Sequence, residues 1–176
     1  MIETEYDVIV AGYGPVGETC ANLLGYYGIK ALILDKEKKT FPLPRAITWD
    51  AECQRAMSHC DFLTKVKTRK IRGVDNKDAN KKSILKISMD GFDAYNYQHS
   101  ILFIHQPQFD EAHRENAEKY HTNTIKTGNE ILSVDQSNGI VGCAYKNIEP
   151  GEEFKTSSRY LLACDGANST IRKLNN

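Results

Sequence analysis

Short apolar runs alternate along this chain with amphipathic stretches, which predicts strands and helices following one another in an α/β order. Residues Tyr6–Ala11 (Tyr-Asp-Val-Ile-Val-Ala) are apolar and β-branched, as a strand buried in a parallel sheet would be. Val16, Thr19, Cys20, Leu23, Leu24 and Tyr27 then recur at helical spacing, predicting a helix with that face inward and Gly28 at its end. Residues 31–34 form a second apolar run, closed by Asp35. After the solvated stretch 36–39, two prolines restrict residues 41–46 to extended conformations. Thr48 or Asp50 is placed to cap a helix reaching about residue 60, with Ala51, Ala56 and Met57 inward and Trp49 in the core or at the helix edge.

The pattern changes between residues 71 and 98. Leu85, Ile87 and Met89 alternate with Lys86 and Ser88, the period of a half-exposed strand, and Asp90-Gly91 reads as a turn. Helical and buried-strand patterning then returns. Residues 101–104 predict a buried strand, leading through His105-Gln106-Pro107 into a helix with Phe109, Ala112, Asn116, Ala117 and Tyr120 on one face. Hairpin signals follow: 131–135 and 140–145 flank Ser137-Asn138-Gly139, and Pro150-Gly151 precedes a strand at 154–156. A last strand, 160–164, delivers Asp165-Gly166.

The first strand, helix and second strand enclose a Gly-x-Gly-x-x-Gly run, Gly-Tyr-Gly-Pro-Val-Gly at 12–17. Gly12 permits a tight turn, Gly14 lets backbone approach a pyrophosphate, and Gly17 allows close helix–strand packing. Pro15 and Val16 complete the turn at the start of the helix, whose free N–H groups and partial positive charge suit phosphate. Asp35, about 20 residues on, is placed to accept from a ribose hydroxyl, with Lys36 beside it. This context makes the run a dinucleotide-binding turn.

Composition and charge narrow the field in other ways. Lys+Arg and Asp+Glu balance at 23 each in 176 residues, so no global field favours nucleic acid or an anionic membrane. The basic stretch Lys65, Lys67, Arg69, Lys70, Arg72 reads as a solvated edge. Met1–Glu5 is short and acidic, unlike a secretory leader, and no apolar run approaches the ~20 residues of a membrane span, so the expected location is cytoplasmic. Cys20, Cys53, Cys60, Cys143 and Cys164 contain no Cys-x-x-Cys pair, and the five histidines show no metal-ligand spacing. Cys20 and Cys164 read as small buried hydrophobes, and His113 as a packed or surface residue.

The order of elements, with Pro42-Leu-Pro-Arg-Ala-Ile, Phe103-Ile-His-Gln-Pro and Asp165-Gly-Ala-Asn-Ser-Thr-Ile-Arg, resembles the N-terminal half of the para-hydroxybenzoate hydroxylase-like FAD aromatic hydroxylases. Within that group the motifs look most like 3-(3-hydroxyphenyl)propionate and related phenol hydroxylases. The resemblance implies an α/β, Rossmann-like FAD-binding domain made of residues 1–70 and 99–176, with a parallel sheet and an antiparallel β-meander. Residues 71–98 would be a small β insert belonging to a substrate-domain sheet. It implies FAD on Gly12–Gly17 and Asp35, Arg45 beside the FAD phosphates near the NAD(P)H approach, Gln106 on the flavin side, and Asp165 serving both FAD and NAD(P)H. In such enzymes NAD(P)H reduces FAD, and O₂ then supplies the oxygen placed on a phenol ring. The cofactor carries the difficult chemistry, so no residue here is assigned as acid, base or nucleophile.

The family also has a downstream Gly-Asp motif and most of its substrate pocket beyond the length seen here. Relative to the family the fold is therefore expected to be incomplete, holding the adenosine end of the site without hydroxylating alone. An incomplete sheet would expose apolar surface and favour self-association. The small aromatic substrate belongs to the full-length enzymes. Two other readings use the same turn: a different NAD(P)- or FAD-dependent oxidoreductase, or a non-catalytic nucleotide-binding module.

Overall fold

The computed structural model describes residues 4–43, 48–60, 63–90 and 101–175. The chain divides into two compact units, one drawn from residues 1–42 and 110–176 and the other from 43–109.

The first unit is built on a six-stranded sheet. Its strands are β1 (Tyr6–Ala11), β2 (Ala31–Asp35), β8 (Asn123–Thr127), β9 (Asn129–Ser137), β10 (Ile140–Asn147) and β11 (Glu153–Ala163), in the order β8-β2-β1-β11-β10-β9. β8, β2, β1 and β11 are mutually parallel, whereas β9, β10 and β11 form the antiparallel meander. Asn138 and Gly139 both adopt positive φ between β9 and β10, the conformation a two-residue hairpin turn requires.

Two of the expected strands are one. Segments 154–156 and 160–163 lie in the single strand β11, which ends one residue short of the expected 164 and pairs antiparallel with β10 along its first half and parallel with β1 along its second. β8 carried no signal, because Asn-Thr-Ile-Lys-Thr lacks an apolar period; its backbone completes the sheet edge against β2.

Alternation along the central strands makes two cores. Val8, Val10, Ala31 and Ile33 pack with Tyr13 and with Ala21 of α1 (Pro15–Tyr26) and Ala117 of α3 (Gln106–Ala117). Ile9, Leu32 and Leu34 point to the opposite face, with Tyr6, Cys143 and Tyr145. Burying each aliphatic side chain there contributes roughly 1.5–3 kcal/mol.

α1 buries a different face from the one its apolar residues suggest. Gly17, Glu18, Ala21, Asn22 and Gly25 are buried, while Val16 and Tyr27 are 64% and 65% exposed. Closeness is the reason. A Cβ on Gly17 would lie 2.0 Å from the Gly12 carbonyl oxygen, and one on Gly25 would lie 2.4 Å from the Tyr120 ring. Only a stripe of small residues lets the helix approach so nearly, and Glu18 and Asn22 share that stripe.

The second unit holds a three-stranded antiparallel sheet of β3 (Thr48–Asp50), β7 (Ile101–Phe103) and β4 (Arg69–Lys70), and a hairpin of β5 (Gly73–Lys77) and β6 (Ser83–Ser88). Asp50 caps α2 (Ala51–Ala56), accepting from the Cys53 N–H at 2.8 Å. The helix ends at Ala56, short of the expected residue 60. Trp49 is buried, its ring edge-on to Phe109 at 5.1 Å. β6 is a strand as its alternation indicates, but all six of its residues are exposed rather than alternate ones. Of the Asp90-Gly91 turn, Gly91 lies outside the described residues.

Candidate functional site

The glycine-rich turn sits at the C-terminal ends of three parallel strands. Gly12 donates to the Leu34 carbonyl at 2.7 Å, and Cys164 donates to the Ala11 carbonyl at 2.7 Å. Gly12 has φ +98°, and a Cβ there would lie 2.5 Å from the Cys164 carbonyl oxygen and 2.9 Å from the Asp165 Cα. The tight turn and the Asp165-Gly166 corner are thus in direct contact.

Gly14 differs from its two companions. A Cβ there would meet nothing within 4 Å, so its Cα faces open space. It is the N-cap of α1, receives no side-chain cap, and is followed by Pro15 in the first turn. The first N–H groups of a helix lack intrahelical acceptors, and the macrodipole places partial positive charge beside them. Pro15 and Val16 are exposed at the same point. An uncapped helix start, an open Cα and adjacent exposed residues leave room and donors for an anion.

Asp35 ends β2 and ties the turn together. One carboxylate oxygen accepts from the Tyr13 N–H at 2.5 Å and the other from the Glu37 N–H at 2.7 Å. Each oxygen keeps a second lone pair for a hydroxyl donor. Lys36 follows, exposed.

Asp165 faces the turn from β11. Its Oδ2 accepts from the N–H groups of Thr170 and Ile171 at 2.6 and 3.0 Å, while Ser169 caps α4 (Thr170–Leu174) through Arg172. Burial pushes the Asp165 carboxyl up, but hydrogen bonds from Ser169, Ile171 and Thr170 outweigh it, so its pKa is lowered. Its Oδ1 is buried with no hydrogen-bond partner among the described residues. A buried, ionised acceptor left open beside the turn fits a ligand carrying hydroxyl or N–H donors. These features together fit the ADP part of FAD: donors at the phosphate end, Asp35 at the ribose end, and Asp165 alongside.

Gln106 is buried at the first residue of α3, in the second unit. Arg45 lies outside the described residues.

Beneath the turn is a polar cluster that sequence patterning missed. Glu18 is fully buried, and its Oε1 accepts from Arg114 Nε at 2.7 Å. The same guanidinium donates to the Tyr13 carbonyl and lies 4.5 Å from the Tyr13 ring centroid. His113 Nδ1 is 3.7 Å from Glu18 Oε2. Asn22 donates to the Glu18 and His113 carbonyls at 2.8 and 2.9 Å, and Asn116 donates to Asn22 at 2.7 Å. Burial raises the Glu18 carboxyl to about 7 against the opposing pull of Arg114, and burial lowers His113 to about 4. The one available signal was the Gly17, Ala21, Gly25 spacing, which marks the close-packed face on which Glu18 and Asn22 also lie.

Comparison with known proteins places this geometry. A family model described as "FAD binding domain" matches residues 5–175. The chain is 27% identical over 176 residues to a 3-(3-hydroxy-phenyl)propionate/3-hydroxycinnamic acid hydroxylase of Comamonas testosteroni, covering 99% of this chain and 29% of the relative. It is 28% identical over 174 residues to a para-nitrophenol 4-monooxygenase of Pseudomonas sp. (strain WBC-3), covering 98% of this chain and 43% of the relative. The crystal structure of p-nitrophenol 4-monooxygenase from Pseudomonas putida DLL-E4 superposes with a TM-score of 0.84 at 23% identity, covering 99% of this chain and 44% of that one. The chain thus spans less than half the length of these relatives. The fold it shares with them and the match across nearly every residue lead to one conclusion: this chain belongs to the FAD binding domain family.

Proposed function

We propose that this chain is the FAD-binding portion of an NAD(P)H-dependent flavoprotein monooxygenase that hydroxylates a small phenolic aromatic compound. The observation that carries the reading is the open Gly14 Cα at the uncapped start of α1, set beside the unsatisfied Oδ1 of Asp165. A relative named as a 3-(3-hydroxy-phenyl)propionate/3-hydroxycinnamic acid hydroxylase and one named as a para-nitrophenol 4-monooxygenase, matched across almost the whole chain, support the substrate class.

In this reading each residue has a binding role. The backbone from Gly12 to Gly17, with Pro15 and Val16 kept clear of it, receives the pyrophosphate. Asp35 accepts from the adenosine ribose, and Lys36 adds positive charge at the same edge. Arg45 pairs with phosphate through its guanidinium fork. Gln106 and Asp165 serve the flavin side, Asp165 also meeting NAD(P)H. When bound, FAD supplies the redox chemistry, and the side chains hold and orient it. Residues 1–70 and 99–176 form the FAD-binding body and 71–98 an insert of the substrate domain. The protein works in the cytoplasm, and its exposed apolar residues, including Tyr160 and Leu162 of β11, favour self-association.

Calorimetry with ADP, FAD and FMN tests the binding reading, because the uncapped start of α1 and Asp35 offer their donors and acceptors to the ADP part of the ligand. ADP and FAD should bind, and FMN hardly at all. Binding of NADH without FAD would instead favour a dehydrogenase. In a protein of the relatives' full length, oxygen uptake dependent on both NAD(P)H and a phenol tests the activity.

A further inference from the structure

We propose that Cys20 and Cys164 form a peroxide-sensitive dithiol, whose oxidation to a disulfide cross-links α1 to the end of β11 beneath the phosphate turn. The two residues are 144 positions apart in sequence, yet their sulfurs lie 3.9 Å from each other. Both thiols are free, and both residues are only partly buried. They pack against the same core cluster as Tyr13 and Ala21, and Cys164 immediately precedes Asp165.

The two sulfurs are chemically unequal. The hydrogen bond with Cys164 lowers the Cys20 thiol to about 7 in spite of burial, while the same bond, with burial and Asp165, raises Cys164. Either sulfur can donate across the gap, and the negative charge of Asp165 beside Cys164 disfavours a thiolate there, which makes Cys20 the attacking sulfur. The other thiols are less reactive. Burial and Asp50 raise Cys53, and burial raises Cys143 to about 11. Cys60 is buried.

The oxidant is a hydroperoxide, for which hydrogen peroxide is the simplest case. The Cys20 thiolate attacks one peroxide oxygen: an S–O bond forms, the O–O bond breaks, and the released hydroxide takes up a proton to become water. Cys164 then attacks the sulfenic sulfur, forming the S–S bond. The S–O bond breaks, and the hydroxyl leaves as a second water with the Cys164 proton. Two thiols lose two electrons in all, and one peroxide is reduced to two waters.

Bond formation requires the sulfurs to close by about 2 Å. The helix cannot simply slide inward, because Gly17 already lies against the Gly12 carbonyl and is within reach of the Cys164 Cβ. Closure not taken up by rotation of the two cysteine side chains falls on the Gly12–Gly17 turn or on the Cys164-Asp165 corner. Oxidation should therefore weaken adenine-nucleotide binding, a consequence that rests on the function proposed above.

The experiment treats the reduced protein with stoichiometric hydrogen peroxide, blocks remaining thiols, and maps the linked peptides by mass spectrometry. ADP affinity is measured before oxidation, after it, and after a reductant is added back. The expected result is a Cys20–Cys164 linked peptide, missing two hydrogens and absent from Cys20→Ser and Cys164→Ser. A reversible fall in ADP affinity on the order of tenfold, the size of one charge-assisted hydrogen bond, should accompany it. Oxidation confined to Cys53, or no 20–164 link, overturns the dithiol. A link with unchanged ADP affinity overturns its coupling to the turn. If reduced protein binds no ADP, the nucleotide reading fails and the peptide map alone decides the dithiol.

Discussion

The glycine-rich turn and the polar cluster under it lie on the same first turns of α1, but they are built on opposite terms. The turn works through absence: Gly12 and Gly17 have no room for a side chain, and Gly14 presents bare backbone to open space. The cluster works through side chains in full: Glu18 and Arg114 form an ion pair, with His113, Asn22 and Asn116 filling the interior around them. A phosphate can approach only the first. Only the second can fix where α1 sits against α3. The difference teaches that shape and position are separable here, so substitutions should separate binding from stability.

Arg114→Ala should have the largest effect on stability. It leaves Glu18 buried without its counter-charge and removes a donor from the Tyr13 carbonyl, a loss of roughly 3–5 kcal/mol for a broken buried pair. Urea denaturation measures it. A loss below about 1 kcal/mol, the value of an exposed pair, would show that the cluster does not hold the helix.

Asp35 joins the two regions' terms, because it is both a brace and a proposed ligand. Asp35→Ala removes acceptors from Tyr13 and Glu37 and takes away the proposed acceptor for the ribose hydroxyl. ADP affinity should fall about 10- to 150-fold, the equivalent of roughly 1.5–3 kcal/mol. A titration with less than a twofold change would leave the brace and remove the ligand.

The pH dependence of the cluster should be visible only when one member is removed. Glu18 is raised to about 7, so its contribution to stability is full below its ordinary pKa near 4.5 and is lost as pH rises through 7. His113 is lowered to about 4, so its contribution is full above 6.5 and is lost as pH falls through 4. Between about 4.5 and 6.5 the two slopes oppose each other. Arg114 and Asp35, acting on Glu18, and Asp110, acting on His113, are the charged neighbours. Thermal melts of the native chain should change little across that window. In Glu18→Gln, Tm should fall as pH is lowered from 6.5 towards 4. An equally flat profile would mean that His113 is not buried neutral.

Gly14→Val should change stability least, within about 0.5 kcal/mol, because a Cβ there meets nothing within 4 Å and the backbone is extended. Its effect should fall on the ligand, since the branched side chain occupies the space proposed for the pyrophosphate. Retained ADP affinity in this variant would move the phosphate site away from Gly14.

Several elements were legible because local chemistry decides them. The run 6–11, the glycine spacing and Asp35 lie where a strand, a tight turn and a strand end must be, and Asn138-Gly139 turns a hairpin because both residues tolerate positive φ. Other elements were not legible. β8 is a strand only because β2 offers it backbone partners. The two runs of β11 become one strand because β10 and β1 each pair with part of it. α1 buried a stripe of small residues shared by Glu18 and Asn22, which its apolar periodicity does not mark. Of the site residues, Gly12, Gly14, Gly17, Asp35 and Asp165 come together in the first unit, whereas Glu18 and Arg114 were not read as belonging there at all.

By itself, the sequence determined the fold class, the tight glycine-rich turn and the family resemblance, because these rest on residues whose backbone freedom or spacing has few alternatives. Tertiary structure alone decided which face of α1 is buried, that Glu18 meets a guanidinium 96 positions away, and that Cys20 meets Cys164. The physical reason is that burial of a polar or sulfur-bearing side chain depends on its partner. That partner arrives from a distant part of the chain, where no local period announces it.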